Sequence, residues 1–568
     1  IFFEAHVAQR RLIEDRQLDE AALGLEAPEA LAKIRASSGL VGETAALQRA
    51  MDARAPAVRA ACEAHLSEAM CEVLRTVRER VLVDALPLLS LWQSEPLQLQ
   101  SSHLSFQEYF AAIALCDEGT ELSGTPPWQW PAWWANTVKL GAEIPGDRFG
   151  RGLLRAAGVT GDTLDLSRKL GGDRPTVLRV LAAVVANSGE LRALNLSQNE
   201  LDAEDARALA PALMKTTAFL TKLDLDDNKI GPEGAIAIVE ALKVNAVLTV
   251  LWLSDNNIGV DGAKAIAEAL KVNAVLTELH LYRNNIGDDG AKAIAEALKV
   301  NAVVTTLNLG VNNIGVGGAK AIAEALKVNA VMKNLSVGYN SNIVGEAAQQ
   351  LAAAALGSLS LEVLSGVPIK ELREGKLTEL NLISKGLGPT EGIVLAELIK
   401  FSAVVTTLSL SGNNIGDEGA IAIAEALKVN EVLTTLNLRN NSIGDEGAKT
   451  IADALKSGTA VLTSLDLAGD PYSMDLACDP YSIGFNINIG DEGAKAIAEA
   501  LKVNAVLTEL ELFNNSIGDG GAKAIAEALK VNAVLTKLDI RINHNMGDAG
   551  KEAVRDAVKD QSGFVLLL

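Results

Sequence analysis

The chain has 568 residues, with 51 Lys and Arg against 72 Asp and Glu, a formal charge of −21. That balance argues against a general nucleic-acid or anionic-membrane surface, because polyphosphate binding draws its energy from cations, and a basic protein partner fits it better. Hydrophobic residues make up 49% and aromatics only 4%, so the core is built of Leu, Ile, Val and Ala.

Four cysteines, Cys62, Cys71, Cys116 and Cys478, are too few and scattered for a disulfide framework and have no metal-ligand spacing. A reducing, cytoplasmic location is the simplest reading. Apolar runs such as 176–186 are short and interrupted by Arg179, so no membrane span is expected. The chain starts at Ile1 inside a helix-like pattern, which suggests that the true N-terminus lies upstream.

Residues 1–116 read as an all-α region. Ile1 to Leu23 and Val58 to Leu86 have apolar residues at mixed three-and-four spacing, and Pro28, Pro56, Pro87 and Pro96 set helix limits. Ser101-Ser-His-Leu-Ser-Phe-Gln-Glu-Tyr-Phe-Ala-Ala112 closes the region. It resembles a stretch in the winged-helix part of the NACHT module of NLR proteins, the nucleotide-binding leucine-rich-repeat receptors. In that family the matching histidine contacts the phosphate of ADP, which gives His103 a nucleotide-sensing role by resemblance; the plainer alternative is a helix-start or core histidine. A phosphate loop needs G-x-x-x-x-G-K-S/T. Gly-Lys occurs only at 375–376 and 550–551, without that context. No cofactor is therefore expected in this chain, and ADP or ATP only with an upstream nucleotide-binding domain.

Residues 117–160 form a Trp-rich linker, with Trp128, Trp130, Trp133 and Trp134 inside one short stretch. An exposed cluster would be an interaction patch, but an end cap plugging the core of a repeat array is the better reading.

Residues 161–568 are an array of about 13 to 14 repeats. Copies start at Leu191, Leu220, Leu248, Leu276, Val304, Met332, Leu377, Val405, Leu433, Leu462, Leu507 and Leu535, mostly 28 residues apart. In each, Leu-x-x-Leu-x-Leu alternates like a strand with one buried face. A recurring Asn, from Asn199 to Asn543, is placed to satisfy backbone groups at the turn. Ile-Gly-Asp-Glu-Gly supplies a turn glycine and an Asp suited to the N-cap, and Ala-Lys-Ala-Ile-Ala-Glu-Ala-Leu is a strong helix former. Lys-Val-Asn then closes the helix, with its Asn able to adopt a left-handed conformation. Because helices need more room than strands, the array must curve with strands inside. The pattern resembles ribonuclease-inhibitor-type leucine-rich repeats, which implies an α/β leucine-rich-repeat horseshoe with parallel strands concave and helices convex.

Two intervals, Met332 to Leu377 and Leu462 to Leu507, are 45 residues long. The first reads as a short repeat near 360–376 whose outer helix is replaced by a tight turn, followed by Lys385 where the Asn ladder should continue. The second reads as a loop insertion near 470–486 carrying Asp470-Pro-Tyr-Ser473 and again Asp479-Pro-Tyr-Ser482.

The outward strand positions serve no packing purpose, and three consecutive copies depart there from bland Asn, Ser and Thr. Asp224, Asp226, Asp227, Trp252, Asp255, His280, Tyr282 and Arg283 form the candidate protein-binding patch, mixing interface-anchoring residue types with carboxylates suited to a basic partner. Catalytic and metal motifs are absent: no nucleophile is placed for a triad, there is no H-E-x-x-H, and Lys229 stands where a calcium loop beginning at Asp224 needs glycine. The expectation is a non-catalytic interaction scaffold, the sensing or autoinhibitory part of an NLR-like receptor. A small-GTPase regulator resembling Ran GTPase-activating protein, or an inhibitor resembling ribonuclease inhibitor, is the alternative; the oligomeric state is not encoded legibly.

Overall fold

The computed structural model describes residues 12–36, 56–82, 89–94, 97–101, 104–117, 120, 122, 124–187, 189, 191–215, 219–469 and 488–568. They fall into two compact units, residues 1–193 with 211–220 and residues 194–210 with 221–568. His103 and both Asp-Pro-Tyr-Ser copies lie outside the described residues.

The first unit is mainly helical, as its periodicity suggests, but it is not all-α. Strands β1 (Leu12–Glu14), β2 (Leu89–Ser94) and β3 (Leu97–Ser101) make an antiparallel sheet in the order β1-β3-β2. The N-terminal helical reading therefore fails at 12–14, which pair with 98–100, and Pro96, read as a helix limit, lies outside the described residues. Leu97-Gln-Leu-Gln-Ser101 alternates apolar and polar, a period-2 signal too short to compete with the helical pattern around it.

Helix Leu104–Cys116 follows. Its Gln107 and Glu108 are buried, and Asn136 Nδ2 donates to both Glu108 oxygens at 3.3 Å. The tryptophans are not an open patch. Trp130 and Trp134 are buried and stacked at 3.9 Å between centroids, and the Trp128 and Trp130 carbonyls accept from Gly171 and Asp173 N–H. The unit continues with strand β4 (Thr163–Asp165) and helix Arg174–Asn187.

The second unit is an α/β leucine-rich-repeat horseshoe array. Its strands are β5 (Ala193–Asn195), β6 (Lys222–Asp224), β7 (Val250–Trp252), β8 (Glu278–His280), β9 (Thr306–Asn308), β10 (Asn334–Ser336) and β11 (Val363–Leu364), which run side by side in that order. A separate parallel sheet then runs through β12 (Glu379–Asn381), β13 (Thr407–Ser409), β14 (Thr435–Asn437), β15 (Ser464–Asp466), β16 (Glu509–Glu511), β17 (Lys537–Asp539) and β18 (Val565–Leu567). In β7 the central Leu251 is buried between two less buried neighbours, and the helix that follows, Gly259–Leu270, buries Ala263, Ile266, Ala267, Ala269 and Leu270, a pattern most coils repeat.

Two asparagine ladders hold coil to coil. Asn284 is fully buried; its Nδ2 donates to the Leu253 carbonyl at 2.8 Å and its Oδ1 accepts from Asn256 and Ile258 N–H at 3.0 and 3.2 Å. One side chain thus satisfies three backbone groups of the preceding coil. The second ladder is the Asn of Lys-Val-Asn. Asn273 does not take the left-handed conformation suggested by its helix-end position. It is buried, donates to the Leu242 carbonyl at 2.7 Å, and accepts from Val275 and Leu276 N–H at 3.0 and 2.8 Å, turning the chain into the next strand.

The turn aspartates also act differently from expectation. They cap the helix of the next coil, not their own. Asp491 Oδ1 accepts from Gly518 and Gly521 N–H at 2.7 and 2.9 Å, and Asp288, Asp417, Asp445 and Asp519 repeat the arrangement. The anion still meets the electropositive helix end, but the bond ties neighbouring coils together.

The short repeat interrupts the sheet. β11 pairs with β10 and not with β12, because Ser365 and Gly366 at φ 48° and 89° fold the chain back so that Leu364 and Val367 bond each other. The outer helix is not replaced by a turn alone; it shrinks to five residues, Ile369–Arg373. Ser365 Oγ accepts from Val337 N–H at 3.0 Å where other coils offer a strand carbonyl, as Ser336 does to Leu309 N–H, Lys385 is exposed, and Tyr339 N–H bonds the Gly386 carbonyl directly at 2.8 Å. At the second long interval, by contrast, β15 and β16 pair in register and Asn515 reaches the Leu467 carbonyl at 2.9 Å. The coils flanking 470–487 therefore stack as ordinary neighbours.

Candidate functional site

The strand register brings part of the patch into one column. Asp224 pairs with Trp252, Trp252 with His280, and His280 with Asn308. The Trp252 and His280 rings lie 5.3 Å apart with planes tilted by 43°, and Lys222 Nζ sits 3.7 Å above the indole. Glu278 Oε1 accepts from Trp252 Nε1 at 3.1 Å and lies 2.9 Å from His280 Nε2. The indole is thus clamped between a lysine and an imidazole and fixed by one carboxylate.

Lys222 and Glu278 belong to this cluster and were not among the sequence candidates. They stand two residues before Asp224 and His280 on their strands, so period 2 places them on the same face. The sequence candidates came from the column of Trp252 and from positions C-terminal to it, whereas Lys222 and Glu278 lie on the N-terminal side.

Asp224 has a structural task. It is buried, and its Oδ1 accepts from Asp226 N–H at 3.0 Å. Asn195, Asn308, Asn381, Asn437, Asp466 and Asp539 make the same bond two residues ahead. The column assumed free of packing duties is therefore largely occupied by side chains that shape the strand exit, an Asx turn. Trp252, His280, Ser336, Ser409 and Glu511 depart from it, and Trp252 and His280 are the two with rings.

One position further along, Asp226 Oδ1 accepts from Ser254 N–H at 2.6 Å. Burial pushes its carboxyl up to about 6, the Ser254 bond opposes this, and Asp224 adds to the rise. Asp226 therefore both ties its turn to the next coil and carries a proton more readily than an ordinary surface carboxylate. Burial likewise raises the Tyr282 phenol. Gly310 stands beside Tyr282, where a Cβ would come within 3.0 Å of its Cδ2. Arg283 pairs with Asp255 at 2.8 Å, and both, with Asp227, adopt left-handed backbone at φ 53–56°. These turn residues lie at the rim, Asp227 and Arg283 exposed.

Among the described residues no group of His, Cys, Asp and Glu is arranged to hold a metal ion, and no helix is long and apolar enough to cross a membrane.

A model described as "Leucine Rich repeat" matches residues 191–210, 218–239, 244–267, 272–295, 300–323, 402–424, 429–452 and 503–526, so these segments are leucine-rich repeats. No curated protein matches the chain. Among solved structures, an internalin (inlF) from Listeria monocytogenes is 19% identical, covering 69% of this chain and 93% of that one with a TM-score of 0.33. The leucine-rich repeat-containing protein LegL7 from Legionella pneumophila is 19% identical over 60% and 95%, with a TM-score of 0.28. Leiomodin-1 actin-binding site 2 is 22% identical over 34% and 86%, with a TM-score of 0.21.

Proposed function

We propose that the array is a non-catalytic scaffold that binds a protein partner through the strand face of β6 to β8. The observation carrying this reading is the clamp of Lys222, Trp252, His280 and Glu278, built at positions where most other coils place Asn, Ser or Thr. With both faces of the indole covered, its edge and the surrounding carboxylates Asp226, Asp227 and Asp255 meet the partner, which favours a basic surface. Affinity capture with the intact chain, followed by titration of the purified partner, tests it. Trp252→Ala/Arg283→Ala should weaken binding about tenfold or more, the scale of an interface anchor; unchanged affinity removes the patch from the account.

A second reading concerns the rest of the protein. The β2–β3 hairpin leading into helix Leu104–Cys116 supports the winged-helix resemblance of 101–112, and with it an NLR-like receptor in the cytoplasm whose array senses a ligand or restrains a nucleotide switch. Sequencing the transcript upstream of the Ile1 codon tests this: an in-frame phosphate-loop motif is expected, and a start codon adjacent to Ile1 rejects it.

A further inference from the structure

The second sheet carries an aromatic clamp of its own, made at the position after the buried Leu that closes each strand. Successive coils place Arg439, Ala468, Phe513 and Arg541 there. Ala468 is small enough for Arg439 to lean across it, so the Phe513 ring lies between two guanidinium groups, 5.4 Å from that of Arg439 and 5.6 Å from that of Arg541.

The two arginines differ in what remains of their hydrogen-bonding capacity. Arg541 is spent on Asp539, to which Nε and Nη2 donate at 3.0 and 2.7 Å. Arg439 makes no ion pair and no side-chain hydrogen bond among the described residues; Asp466, whose carboxyl feels the Arg439 charge, accepts from Ala468 N–H through Oδ1 at 2.9 Å. The guanidinium lies against the Phe513 ring with its N–H fork unengaged by any described residue, and such a fork takes a carboxylate in two parallel bonds.

We propose that this second clamp docks an acidic, partly apolar peptide segment of a protein partner, with a Glu or Asp carboxylate on Arg439 and an adjacent apolar side chain against the free edge of Phe513. The site accepts one carboxylate rather than a run of phosphates. Asp466, Glu511 and Asp539 stand in register on β15, β16 and β17 directly beside it, and Glu509 flanks them, so a polyanion such as single-stranded DNA is repelled where a lone anion with apolar neighbours is not. It lies on other strands than the β6–β8 face and stands independently of that proposal.

Fluorescence anisotropy of a labelled short peptide with a single Glu between two Leu in an otherwise uncharged sequence, titrated with the intact chain, tests the assignment. Saturable binding is expected, weakened about fivefold by Arg439→Gln, as for a partly exposed ion pair, and less by Arg439→Lys. Phe513→Ala should also weaken it. Asp226→Asn and Lys530→Gln, the latter altering a helix lysine already paired with Glu527, should leave it unchanged, so failure here is distinct from failure of the first patch. Circular dichroism melting confirms that each variant folds. Absent peptide binding, equal losses in Arg439→Gln and Lys530→Gln, or tighter binding of a labelled oligothymidylate than of the peptide overturns the proposal.

Discussion

The two sheets are built from the same repeat and present different faces. On the first, Trp252 is held between Lys222 and His280 with Glu278 beneath them, and Asp226 stands close by. On the second, Phe513 is held between Arg439 and Arg541 over a row of acids. Beneath both, the ladder asparagines, the trans-capping aspartates and the buried leucines are the same. The comparison separates frame from recognition. Residues that repeat hold neighbouring coils together, and the ring-bearing residues that depart from the repeat, Trp252, His280 and Phe513, stand on the strand face outside the buried core.

The largest effect expected from testing this division is on the frame. Asn284→Ala beneath the first face and Asn441→Ala beneath the second each leave several backbone groups of the preceding coil without partners. Each should cost about 2–4 kcal/mol, read from urea unfolding. Strongly unequal costs would show that the two sheets do not share one frame.

A smaller effect separates two carboxylates by the sign of their pH dependence. Burial raises the Asp226 carboxyl to about 6 in the fold, so the folded state holds that proton more tightly than the unfolded chain. Stability therefore rises as pH falls through 6, while the face loses a negative charge. Asp288 in the frame is opposite. Burial opposes its charge, but Gly318, Gly315 and Gly317 N–H groups together hold its carboxyl below the usual range. Its contribution is present above the unfolded value and lost as pH falls through the folded one. Asp226→Asn should raise the melting temperature at pH 7, flatten the profile between pH 5 and 7 and weaken a basic partner; Asp288→Asn should lower the melting temperature at pH 7. Melting curves across this range check both, and equal signs would collapse the distinction.

The smallest effect concerns coupling between coils. Asp491→Ala removes the cap of the helix that begins at Asp519 and should cost about 1 kcal/mol. Hydrogen exchange should show the loss in residues 518–522 of the next coil, and protection lost only within Asp491–Leu501 would mean that the cap acts locally.

The fold was legible because the repeat states its own rules. Leucine alternation, the turn asparagine and the helix former each specify one local structure, and all agree. What escaped the sequence were partners one coil away. An Asp at a helix start reads as that helix's cap, and the stacking distance that delivers it to the next helix is not written in the 28-residue period. The short repeat was visible as an irregular length, but the end of the sheet at β11 depends on Ser365 and Gly366 turning the strand back. The patch was half legible. Trp252 and His280 announced themselves by type, whereas Glu278 and Lys222, ordinary residues on a surface strand, acquire meaning through the indole between them, and Asp224 proved to be a turn former. Arg439, Phe513 and Arg541 are 74 and 28 residues apart in sequence, and the insertion after Gly469 hides their alignment.

The division between frame and recognition is tested most directly by measuring partner affinity and unfolding free energy together on Trp252→Ala/Arg283→Ala. The account predicts an affinity reduced about tenfold or more with the unfolding midpoint in urea unchanged. Affinity retained, or affinity and stability lost in step, would contradict it.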